Sequence, residues 1–126
     1  MWVEFNPNPD NQKRVGDCTV RAVAKALDIS WDDAYILMAV KGYQLKDMPS
    51  ANSTWSAVLM ENGFKRKSIP DRCPNCFTAD DFCRENPKGT YVLGFGSHTA
   101  TIVDGRLYDM WDSSNEIPQY YFYKED

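Results

Sequence analysis

Four cysteines and one histidine are the residues of this chain with covalent and acid–base chemistry to offer. Cys73, Cys76 and Cys83 cluster, whereas Cys18 stands alone at the start of a helical pattern. Val20, Val23, Ala24 and Leu27 fall at i, i+3, i+4 and i+7, one apolar stripe, and Asp17 is placed to cap a helix from Cys18 to about Asp28. In the first turn of a helix the unpaired N–H groups and the macrodipole favour negative charge, so a thiol there gains thiolate character. The same N–H groups can hold an oxyanion. His98 is the only imidazole in the chain and hence its one side chain that titrates near neutrality unperturbed. Taken singly, a helix-start cysteine is more often a small buried residue and a strand histidine a satisfied core residue. Taken together they carry more weight, because a cysteine nucleophile needs a base that the fold brings near it, the requirement for acyl transfer through a thiol.

A third group is needed to orient the imidazole. Asp104-Gly105, between the strand-like runs Ser97 to Val103 and Arg106 to Trp111, predicts a two-residue hairpin turn. Val103 then pairs with Arg106, Ala100 with Asp109 and His98 with Trp111, which puts Asp109 on the His98 face one diagonal step away. A bulged loop would exchange the faces and bring Asp112 there instead. The Asp-Gly turn favours Asp109, and Asp112 is the alternative.

The elements that must carry these residues follow from periodicity and caps. Residues 1–16, rich in Asn, Pro and Asp, read as an irregular lead-in. Ser30 with Asp33 opens a second helix that Gly42 is placed to end. A third helix fits Ser53 to Asn62, with Trp55, Val58 and Leu59 inward, and Phe64 to Ile69 reads as a short strand. Thr78 with Asp81 starts a short helix ending near Asn86-Pro87. Strands follow at Thr90 to Phe95, in the two arms of the hairpin, and at Gln119 to Tyr123. Helices first and strands last predict a single α+β domain over residues 1–126.

Other features carry less. Cys73-x-x-Cys76 followed by Cys83 supplies three of the four ligands of a tetrahedral zinc site, and no local residue completes it. Thiols on a turn and a helix are the plainer reading, and no metal or cofactor is expected. Lys65-Arg66-Lys67 reads as a solvated strand face, and no glycine-rich phosphate loop is present. With 43% hydrophobic residues in 126, the chain can bury a core. A net charge of −4 argues against nucleic acid or an anionic membrane as partner. The longest apolar run, Ala34 to Val40, is too short to span a bilayer, and the N-terminus lacks the pattern of a signal peptide. The expectation is a small soluble cytoplasmic protein whose cysteines are not in disulfides.

At Gln12-Lys13-Arg14-Val15-Gly16-Asp17-Cys18, Gly89-Thr90-Tyr91-Val92-Leu93 leading to His98, and Asp104-Gly105-Arg106-Leu107-Tyr108-Asp109, the chain resembles the papain-like cysteine peptidase superfamily, especially its small bacterial and phage members. The resemblance covers Gln12 to Leu27 and Gly89 to Asp112. Thr19 follows the cysteine where papain itself has tryptophan. The resemblance implies a Cys-bearing helix packed on a C-terminal antiparallel sheet, and it implies an oxyanion-hole role for Gln12, six positions before Cys18. It also implies hydrolysis of a peptide or isopeptide bond by Cys18, His98 and Asp109 or Asp112, with a peptide or protein as substrate. The contrasting expectation is a non-enzymatic binding domain on the same scaffold, its cysteine-rich loop held by zinc.

Overall fold

The computed structural model describes residues 1–10, 15–72 and 74–124. Along the chain run β1 (Trp2–Glu4), α1 (Cys18–Leu27), α2 (Trp31–Leu45), α3 (Asn52–Glu61), β2 (Phe64–Ser68), α4 (Ala79–Glu85), β3 (Thr90–Gly94), β4 (Thr99–Val103), β5 (Arg106–Asp109) and β6 (Tyr120–Lys124). The strands form one sheet in the order β1-β5-β4-β3-β6-β2. The fold is therefore α+β, with its sheet centre built from the C-terminal half of the chain.

Two expectations about the sheet need correction. It is mixed, because β1 runs parallel to β5, and it is not wholly C-terminal, because β1 and β2 form its two edges. The lead-in read as irregular thus contains a strand. Three residues are too few to show a period of two, and the ladder offered by β5 decides their conformation. The basic run Lys65-Arg66-Lys67 lies exposed on the edge strand β2, where charge discourages pairing with another chain.

Alternation along the strands divides the core. Val92 and Phe122 join Val20, Val23, Met38, Trp55 and Leu59 beneath α1, α2 and α3. Leu93, Ala100, Ile102 and Leu107 instead meet Phe77, Phe82 and Cys83 on the α4 side. Fully burying a side chain such as Leu59 or Phe122 is worth about 1.5–3 kcal/mol, so these clusters fix how α1 lies on the sheet. A hydrogen bond of 2.7 Å from Thr101 Oγ1 to the Ala22 carbonyl pins α1 to β4.

Caps follow the sequence at α2 and α4. Ser30 Oγ accepts the Asp33 N–H at 3.0 Å, and Thr78 with Asp81 completes a reciprocal capping box. Gly42 does not end α2, which continues to Leu45 and closes on Lys46 in the left-handed region. A Cβ at Gly42 would meet the Asp47 carbonyl at 2.9 Å, so this glycine admits the returning 47–49 loop. Asp17 gives α1 no side-chain cap; its carboxylate is used elsewhere. No helix among the described residues is long and apolar enough to cross a membrane.

Candidate active site

Cys18 is the first residue of α1. His98 lies one residue before β4, not within a strand as its sequence context suggests, in a turn closed by a 2.8 Å bond from the Phe95 N–H to the His98 carbonyl. Strand pairing here stops at Gly94 with Thr99, which frees His98 to leave the sheet plane. Its ring is held between Phe95, with centroids 5.9 Å apart, and Trp111 at 5.0 Å. Nε2 faces Asp109 Oδ2 at 2.6 Å, which leaves Nδ1 as the ring nitrogen for the Cys18 thiol, a neighbour whose pKa the ring lowers.

The hairpin that carries base and carboxylate forms as its turn residues predict. Val103 is paired with Arg106 and Thr101 with Tyr108, while Asp104 and Gly105 both adopt positive φ. That register brings Asp109 to His98. Asp112 does not take that position; it is exposed, and its carboxylate accepts the Ser114 N–H at 3.1 Å.

The Asp109 carboxylate is 1% exposed and accepts four hydrogen bonds. Oδ2 takes His98 and the Ser113 hydroxyl at 2.7 Å; Oδ1 takes the Met110 N–H at 2.8 Å and Arg21 Nη2 at 3.1 Å. Its main-chain carbonyl is braced by β1, accepting the Trp2 indole N–H at 3.1 Å and the Phe5 N–H at 2.8 Å. Behind this carboxylate the polar chain continues inward. Arg21 Nη1 is bonded to Asp17 Oδ1, and Asp17 Oδ2 accepts the Trp31 indole N–H at 2.8 Å.

The electrostatics follow from these contacts. Burial opposes charge on Cys18, but the His98 hydrogen bond and charge, the Thr99 backbone N–H and the Arg21 charge outweigh it and lower the thiol pKa. Burial likewise disfavours the imidazolium, yet the Asp109 and Cys18 contacts push His98 up to about 9. Asp109 is held below the usual carboxylate range: against the opposing effect of burial stand the bonds from His98, Ser113 and Met110 and the charge of His98. Both shifts favour a thiolate beside an imidazolium, with a carboxylate on the far side of the ring.

Cys18 and His98 open into a cleft of about 270 Å³, bordered by Thr19, Asn52, Trp55 and Tyr120. Tyr120, which borders it, packs over Gly94, where a Cβ would come within 2.1 Å of the ring. Gln12 lies outside the described residues, as does Cys73. Cys76 is exposed, and Cys83 is buried in the aromatic cluster beside Phe82. Among the described residues no group of three His, Cys, Asp or Glu side chains is placed to hold a metal ion. The sequence reading missed Arg21, Asp17, Trp31 and Ser113. One local signal pointed to part of this set: Asp17 and Arg21 carry opposite charges at i and i+4. Comparison with protein-family models, with curated proteins and with solved structures finds no match for this chain.

Proposed function

We propose that this protein is a papain-like cysteine hydrolase that cleaves a peptide or isopeptide bond by acyl transfer through Cys18. The observation that carries this reading is the grouping of the Cys18 thiol with the His98 ring in one cleft, where the ring lowers the thiol's pKa and is itself held by the buried Asp109 carboxylate at 2.6 Å. A structural cysteine has no need of an imidazole partner, and a structural histidine has no need of a fully buried carboxylate behind it.

The chemistry then runs in two halves. The Cys18 thiolate attacks the carbonyl carbon, and the oxyanion forms beside the free N–H groups at the start of α1. The C–N bond breaks as His98 gives its proton to the leaving amine, which leaves a thioester on Cys18. His98, now neutral, takes a proton from water as that water attacks the thioester; the acid leaves and the thiolate–imidazolium pair is restored. Asp109 keeps its proton-free form throughout and fixes the ring orientation. By resemblance to the superfamily, Gln12 adds a donor to the oxyanion.

Alkylation of the thiols by iodoacetamide at pH 6, followed by mass spectrometry, tests this reading. An ordinary thiol of pKa ~8.5 is almost wholly protonated there, so Cys18 is expected to react well ahead of Cys73, Cys76 and Cys83. His98→Ala is expected to slow Cys18 alone. A folded protein whose Cys18 is unreactive at pH 6 and indifferent to His98→Ala is a binding domain, not a hydrolase. Stoichiometric zinc bound through His98 would count against the enzyme in the same way.

A further inference from the structure

The carboxylate that orients His98 is itself held by something, and the source of each bond identifies what. Three of its four partners, His98, Met110 and Ser113, belong to the hairpin and the segment that follows it, so they move with Asp109. Arg21 is the exception among the described residues. It reaches the Asp109 side chain from α1, the helix that carries Cys18 one turn earlier. One guanidinium therefore links the element bearing the thiol to the element bearing the imidazole and its carboxylate.

The fork shape of arginine suits this task. Nη2 meets Asp109 Oδ1 at 3.1 Å while Nη1 meets Asp17, whose other oxygen is fixed by the Trp31 indole at 2.8 Å. Arg21, Asp17 and Asp109 are 6%, 5% and 1% exposed, so solvent does little to screen or loosen the set. The titratable neighbours of Arg21 are Asp17 and Cys18 on its own helix, Asp109 at the end of β5 and His98 before β4; from α2 comes only the neutral Trp31 indole, and Glu4 of β1, in register with Asp109, is exposed.

We infer that Arg21, braced by Asp17 and Trp31, is a positioning residue that holds the Asp109 carboxylate in the rotation in which Oδ2 faces His98, and so sets the His98 ring against Cys18. The inference rests on the cysteine-hydrolase reading, but its test does not need a substrate. Apart from the positive charge it lends the Cys18 thiol, which Arg21→Lys would keep, Arg21 acts through Asp109.

Arg21→Lys keeps the positive charge and removes the fork, since one ammonium cannot present two fixed arms to two carboxylates. His98 is the only histidine, so its imidazole NMR signals report one titration without assignment by mutation. In Arg21→Lys the His98 midpoint is expected to fall by about half a unit or more, and iodoacetamide alkylation of Cys18 at pH 6 to slow about threefold, the same shift read as a rate. Both effects are expected to vanish when Arg21→Lys is placed in an Asp109→Asn background, because the residue through which Arg21 acts is then lost. An unchanged midpoint and rate in folded Arg21→Lys would overturn the inference. So would equal effects with and without Asp109→Asn, which would mean that Arg21 works by charge or by general folding. If Arg21→Lys does not fold, Asp17→Asn loosens the outer arm and takes its place in the cycle, with additivity again the overturning result. Cys18→Ala separates the two readings: if it leaves the wild-type His98 midpoint unmoved, the hydrolase reading fails whatever Arg21 does.

Discussion

Cys18 and Cys83 both lie in helices and both lose most of their contact with water, yet their surroundings drive them in opposite directions. Cys83 sits in α4 among Phe82, Leu107 and Ile102, and burial raises its pKa. Cys18 feels the same penalty, but an imidazole, a backbone N–H and a guanidinium more than offset it. The α4 side of the sheet treats a thiol as a small hydrophobic group; the α1 end treats it as an anion to be stabilised. Burial by itself therefore says nothing about reactivity. What decides is whether the buried surface supplies charge and donors.

The sharpest way to break this contrast is to remove each thiol in turn. Cys18→Ala is expected to lower hydrolysis of a susceptible peptide by roughly three orders of magnitude or more, as loss of a nucleophile does, while Cys83→Ala leaves it near the wild-type rate. Equal losses in the two variants, measured as initial rates on folded protein, would erase the distinction. Next in size is Asp109→Asn. The amide presents the wrong group to Nε2–H and removes a buried negative charge, so a loss of about 10²–10⁴-fold in kcat is expected, together with a lower His98 titration midpoint by NMR.

The pH profile sharpens the comparison further. In the proposed hydrolase the working form needs Cys18 as thiolate and His98 as imidazolium, so activity is expected to rise through the lowered Cys18 pKa and to fall as His98 loses its proton at about 9. Iodoacetamide, which needs no proton from His98, should show the acid limb without the alkaline one. The linked stability has a definite sign. His98 is raised on folding, so its contribution is fully present below about 6.5 and is lost as the pH rises through about 9; the lowered Cys18 contributes in the opposite sense over that range. Urea unfolding should accordingly find the gap between wild type and Asp109→Asn narrowing above pH 9. The smallest effect belongs to the α4 side. Cys83→Ser places a hydroxyl in an apolar cluster and is expected to cost about 1–3 kcal/mol of stability with little change in chemistry.

Much of the candidate site was legible because it depends on local rules. The helix start at Cys18 could be placed from four apolar positions, although Asp17 proved not to cap it, and Asp104-Gly105 specified a two-residue turn whose register put Asp109, not Asp112, beside His98. The two-residue turn counts through the ladder without error because each pair follows from the last. Where the sequence misled, a distant contact overruled a local preference. Gly42 has the chemistry of a helix stop but serves as a gap for the Asp47 carbonyl. Asp17 has the chemistry of a helix cap but spends its carboxylate on Arg21 and Trp31.

The sequence by itself determined the helix that carries the thiol, the hairpin that carries the imidazole and the carboxylate, and the order of helices before the main strands. Those outcomes rest on periodicity, turn chemistry and register, which act between residues near one another in the chain. Only the tertiary structure decided that β1 braces the Asp109 backbone, that the sheet is mixed, and that Arg21 joins the two halves of the site from across 88 residues of sequence. A buried guanidinium needs paired charge, and the second of the two carboxylates that supply it here reaches Arg21 only once α1 has packed on the sheet.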